Sequence, residues 1–120
     1  MDVCELIREI KNQPDFAEHV GMILIHNGVV RSWSRQDRSP VDRIMVTPDF
    51  DRIEALRREY EQKPGIFKIL VQAFSGELKL GDDLLYIVVA GDIRENVKPV
   101  LSDLLDRIKA EAVTKEEIKP

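Results

Sequence analysis

The longest near-continuous apolar run in the chain is LLYIVVA, seven residues from Leu84 to Ala90. A helix needs about 20 such residues to cross a bilayer, so this run cannot span one. Its β-branched and aromatic content suits a pleated strand. The segments around it carry other periods. Downstream, Val97, Val100, Leu101, Leu104, Leu105, Ile108 and Ala112 recur at helical spacing, with Asn96 as the expected cap and Pro99 in the first turn. Upstream, IFKILVQAF (66–74) reads as a strand and SGELKLGDD (75–83) as a turn region. Phe50, Ile53, Leu56 and Tyr60 stripe a second helix, opened by Thr47-Pro48-Asp49 and stopped by Lys63-Pro64-Gly65. Asp2-Val-Cys-Glu5 has capping-box spacing, and Val3, Leu6, Ile7 and Ile10 continue a first helix to about Lys11.

Between the first two helices lies VGMILIHNGVVRSW (20–33), rich in strand formers. Asn27-Gly28 in its middle marks either a hairpin turn or a bulge in one long strand. The polar stretch RSWSRQDRSP (31–40) reads as a loop and VDRIMVT (41–47) as a short strand. The order is α-β-β-α-β-β-α. It predicts an α+β fold, a largely antiparallel sheet with three flanking helices, as one domain over 1–120.

Charge and composition narrow the function. At net charge −4, the chain does not suggest a general affinity for nucleic acid or anionic membranes. A hydrophobic fraction of 43% and a charged fraction of 33% are those of a soluble globular protein. A lone cysteine, Cys4, forbids an internal disulfide and fits a reducing compartment, so a cytoplasmic location is expected. The N-terminus has acids where a signal peptide needs basic residues. Cys4 on the first helix reads as a small buried apolar residue. His26 has no second histidine at ligand spacing, and no metal site is expected.

The residues with chemical potential are cations, each with an ordinary explanation. Lys109 follows Asp106 by three residues and Lys115 follows Glu111 by four, spacings that make helix-surface ion pairs of ~0.2–0.5 kcal/mol. If the helix ran on through Lys115, the two lysines would be about 240° apart around it. They share a pocket only if the helix breaks between them, and no Pro or Gly there enforces a break. Arg94 can pair with Glu95 or Asp92. Arg31, Arg35, Arg38 and Arg43 make a locally basic stretch, either a solvated loop or an anion-binding one.

Three stretches in order resemble the large, catalytic subunit of molybdopterin synthase. One is Gly28-Val-Val-Arg31 at the end of the first long strand. Another is SGELKLGDDLLYIVVAGDIRENV (75–97), a glycine–acid–leucine turn, a strand and a pair opening the last helix. The last is IKAEAVTKEEI (108–118), a lysine, a short spacer, and a second lysine followed by an acid. The resemblance spans about Val20 to Ile118. It implies Lys109 and Lys115 as catalytic residues and Val29, Val30, Arg31, Arg94 and Glu116 as substrate-binding residues. The sequence departs from the family at several points. Ile93 stands where the family has the histidine of its histidine–arginine pair. Ala73-Phe74 replaces another such pair, Lys115 arrives one residue early without the usual proline and tryptophan, and His26 replaces an aromatic residue.

The resemblance implies a role in molybdenum cofactor biosynthesis. Sulfur would pass from a thiocarboxylate on the C-terminal Gly-Gly tail of a small ubiquitin-like subunit to a cyclic pyranopterin monophosphate. No cofactor is expected, and a homodimer is. Guanidiniums would hold the phosphate, and lysines would stabilise developing charge or move protons. Two other readings stay open: a catalytically weakened module that binds an anion or a ubiquitin-like partner, and an oligomeric domain with no small-molecule role.

Overall fold

The computed structural model describes residues 2–120. In chain order the elements are α1 (Val3–Lys11), α2 (Phe16–His19), β1 (Met22–Val29), β2 (Arg43–Pro48), α3 (Phe50–Glu61), β3 (Ile66–Ala73), β4 (Gly76–Lys79), β5 (Asp83–Gly91), α4 (Arg94–Glu111) and β6 (Val113–Ile118). The class is α+β with antiparallel pairing throughout, but the strands form two sheets rather than one. Their orders are β1-β5-β3 and β4-β2-β6.

The apolar run at 84–90 lies in β5, the middle strand of the first sheet, and the pleat divides its side chains between two cores. Leu85, Ile87 and Val89 face α3 and α4, where they pack with Leu56, Ile69, Val97, Leu104 and Ile108. Tyr86, Val88 and Ala90 face the other way, onto Leu6 and Ile10 of α1. Helices on both faces are the reason this strand has no polar side to show. A third cluster, Val30, Val41, Ile44 and Val46, belongs to the second sheet.

Asn27-Gly28 makes no hairpin. β1 runs straight through it, and the register with β5 slips between Gly28 and Val29. That bulge re-aims the chain as it leaves the first sheet for the second.

Local signals decide some boundaries and tertiary pairing decides others. Asp2 caps α1, accepting from the Glu5 N–H at 2.9 Å. The cap of α3 is Asp49 rather than Thr47, because β2 continues through Thr47 and Pro48, paired with Thr114 and Val113. Asn96 does not cap α4, which begins at Arg94 after Ile93. Its side chain instead donates to Asp92, whose Oδ1 also receives the Ile93 N–H at 2.6 Å. Pro99 falls beyond the first turn. Cys4 is exposed, contrary to expectation, because the buried stripe of α1 runs through Leu6 and Ile10. No helix among the described residues is long and apolar enough to cross a membrane.

Candidate active site

Where β1 leaves the first sheet, the C-terminal end of α4 and the new strand β6 close a cavity of about 280 Å³. Its floor is apolar, with Val30, Ile44, Val46 and Leu85 all buried. Its rim is cationic, made by Arg31 and Arg35 from the loop after β1, Lys109 from α4 and Lys115 from β6. One carboxylate, Glu117, is among them. In a chain of net charge −4, four cations at one cavity concentrate positive potential where an anion would sit.

The two lysines meet because the helix does break. The last residue of α4 is Glu111. Ala112 then leaves helical geometry at φ −129°, while its N–H still bonds to Ile108 O at 2.9 Å. Beyond it the chain pairs with β2, Val46 opposite Lys115. On a strand, side chains alternate, so Val113, Lys115 and Glu117 share the cavity side. Glu116 therefore faces away from the cavity, and the expectation that it lines the site is corrected to Glu117. No glycine or proline is needed, because the ladder with β2 takes up the backbone groups that a longer helix would have used.

Neither lysine makes an ion pair among the described residues. The carboxylate expected for Lys115, Glu111, is taken by Arg107 and Arg52. Lys115 lies at the mouth, partly desolvated. That burial, and then the charges of Lys109 and Arg31, lower its pKa below the ordinary lysine value, with Glu117 opposing. His26, on β1 with its ring in the same cavity, is lowered for the same reasons, burial first and Lys109 second.

The loop after β1 is built rather than merely solvated. Two guanidiniums lie over the Trp33 ring, Arg31 at 4.8 Å and Arg38 at 4.1 Å from its centroid. Buried Ser34 donates from Oγ to Glu117 Oε1 at 3.0 Å, tying the loop to β6. Arg43 is turned elsewhere, to Asp42 and Glu77.

Of the anticipated residues, Val29, Val30, Arg31, Lys109 and Lys115 converge on the cavity. Arg94 does not. It opens α4, its side chain is 79% exposed and it pairs with Glu95 at 3.3 Å. Fifteen residues of helix put it about 22 Å along the axis from Lys109. The expected meeting of Arg94 with Lys109 is therefore absent within one chain. Ile93, the position of the lost family histidine, lies at that same far end and is half exposed. Three polar cavity residues were not assigned to the site from the sequence: His26, weighed as a metal ligand and as a departure from a family aromatic, Arg35, weighed as part of a basic loop, and Glu117. The usable signal for His26 was parity. Met22, Leu24, His26 and Gly28 alternate with more exposed residues after Ile23. No cluster of three or more histidine, cysteine or carboxylate side chains among the described residues is arranged to hold a metal.

Comparison with known proteins agrees with this geometry. The family profile described as MoaE protein matches residues 1–111. Molybdopterin synthase from Staphylococcus aureus superposes at TM-score 0.80 with 18% identity, covering 100% of this chain and 86% of that one. Molybdopterin cofactor biosynthesis protein E from Burkholderia multivorans gives TM-score 0.77 at 16% identity, covering 100% and 82%. A complex of subunits 1 and 2 of molybdopterin-converting factor from Helicobacter pylori gives 0.72 at 16%, covering 98% and 78%. No curated protein matches the sequence significantly. With nearly its whole length matched by the family profile, the chain belongs to the MoaE family, the large subunits of molybdopterin synthase.

Proposed function

We propose that the cavity between β1, α4 and β6 is a sulfur-transfer site, at which a thiocarboxylated Gly-Gly tail of a small subunit delivers sulfur to a cyclic pyranopterin monophosphate. Family membership puts the chain in molybdenum cofactor biosynthesis. The observation that carries the site is the meeting of Lys109 and Lys115, from two different elements, beside Arg31 over an apolar floor. Arg31 and Arg35 offer guanidinium forks that match a phosphate. The apolar floor suits a planar pterin. The two ammonium groups, neither held by a carboxylate, are available to the oxyanion that forms when the thiocarboxyl carbon is attacked. Glu117 limits the net charge and, through Ser34, holds the arginine loop in place.

The alternative of a weakened binding module rested on Ile93 and on Ala73-Phe74, which stand where the family has two histidine–arginine pairs, and Ala73 lines this cavity. Ile93 is at the other end of α4, so its departure bears on a cavity only where a second copy brings that helix end to it. The protein is proposed to act in the cytoplasm as a homodimer. Only in such a dimer can Arg94 serve a cavity, that of a second copy. Sedimentation at micromolar concentration should give a species of twice 13.8 kDa, and a monomer alone would contradict the dimer. The functional test supplies thiocarboxylated small subunit and cyclic pterin phosphate and reads dithiolene formation. The proposal expects turnover. A protein that binds the small subunit but forms no dithiolene would restore the binding-module reading.

A further inference from the structure

The cavity holds one side chain with a pKa suited to proton transfer near neutrality that the sulfur-transfer reading has not used, His26. Its position follows from the pleat of β1. Met22 and Leu24 pack into the core beneath α4, and His26, next on the same face, meets the end of that helix at Lys109. Gly28 comes two residues later on the same side. A Cβ there would lie 3.1 Å from His26 Nε2, tighter than ordinary van der Waals contact, so the glycine leaves the imidazole its room. Among the described residues no hydrogen bond to a protein group engages the ring, which is partly buried. A half-buried imidazole with both nitrogens uncommitted can take or give a proton at the cavity surface.

We propose that His26 is the general base of this site, taking a proton from the water that cleaves the bond between the carrier's acyl carbon and the transferred sulfur. The inference rests on the sulfur-transfer reading above. Once sulfur bonds to the pterin while still attached to the tail, an acyl–sulfur bond remains to be broken. Water oxygen adds to the acyl carbon as one of its protons passes to His26. The C–S bond then breaks and its electron pair stays on sulfur, which remains on the pterin as thiolate. The tail departs as a carboxylic acid and loses its second proton to solvent, and His26 returns the first to solvent. No oxidant or reductant is needed.

The charged groups that face His26 favour this role. Lys109 on α4, Lys115 on β6, and Arg31 and Arg35 on the loop are all cations, and Glu117 on β6 is the one anion. β5 brings only Leu84 and Leu85. Burial first, and then the charge of Lys109, lower the imidazole pKa from its ordinary 6.5 and favour the neutral ring. A neutral imidazole is the form that accepts a proton.

The test compares wild type with His26→Gln and His26→Phe in single turnover, following tail carboxylate and dithiolene from pH 5 to 9. The melting temperature and small-subunit affinity of each variant report on folding and docking. Phenylalanine keeps the ring volume should glutamine disturb the fold. The expected result is a rate loss of about 10²–10⁴-fold in both variants, with docking unchanged. Wild type should lose rate on an acidic limb that lies below the ordinary 6.5 of an imidazole, and the residual rate of the variants should lack that limb. Added imidazole should partly restore His26→Ala. A folded variant that keeps the wild-type rate would overturn the role of His26 while leaving the sulfur-transfer reading intact. A wild-type protein without turnover would overturn both.

Discussion

At the mouth of the proposed site, Lys115 sits where its charge is disfavoured. Folded, it holds its proton less tightly than it would unfolded, because of partial burial and then Lys109 and Arg31. The sign follows from linkage. A lysine lowered by folding costs stability at every pH below the lowered value, and the cost fades as pH rises toward the ordinary 10.5. Lys115→Met should therefore raise the melting temperature at pH 7, with the gain fading as pH approaches the ordinary 10.5. Calorimetry at the two pH values checks this, and a lower melting temperature at pH 7 would show that the ammonium is stabilised by something other than solvent. The sequence could point to Lys109 and Lys115 only by resemblance. Residue spacing gave both of them helical partners, and it could not see that Glu111 is spent on Arg107 and Arg52.

At the scale of elements, α3 is fastened to β3 by Glu61 and Arg57, which meet the N–H and C=O of Ile69. Glu61 accepts the Ile69 N–H at 2.8 Å and pairs with Arg57, also at 2.8 Å. Glu61→Ala would leave that N–H without its partner in a part-buried setting, a cost of about 1–3 kcal/mol. The urea midpoint should fall with unchanged slope, and an unmoved midpoint would mean water replaces the carboxylate freely. α1, α3 and α4 were legible because each has a strong apolar stripe. β6 was not. VTKEEI is mostly polar with only its ends partly buried, and it is a strand because β2 offers it a partner, a tertiary fact with no local signature. For the same reason Thr47-Pro48 reads as a helix start yet ends a strand. α2, only four residues after Asp15 at φ 65°, is too short to impose a period. Asn27-Gly28 favours a turn only in isolation, and eight paired residues of β5 keep β1 extended through it.

For the whole molecule, the account rests on a basic cavity in an acidic protein. Phosphate or sulfate should raise the melting temperature by binding the folded state, and Arg31→Ala with Lys115→Ala should remove most of that rise. An equal rise in the double variant would place the anion elsewhere. Arg94→Ala should reduce the rise only through a second copy, since within one chain that residue lies about 22 Å of helix away from Lys109. Small-subunit docking should weaken with salt, as expected for a charged tail entering a cationic cleft. The most direct measurement is the rate of dithiolene formation from thiocarboxylated small subunit and cyclic pterin phosphate, in wild type, Lys109→Ala and Lys115→Ala. The account predicts turnover by wild type, a loss of at least about 10²-fold in Lys109→Ala and a smaller loss in Lys115→Ala. Full activity in folded Lys109→Ala would contradict it.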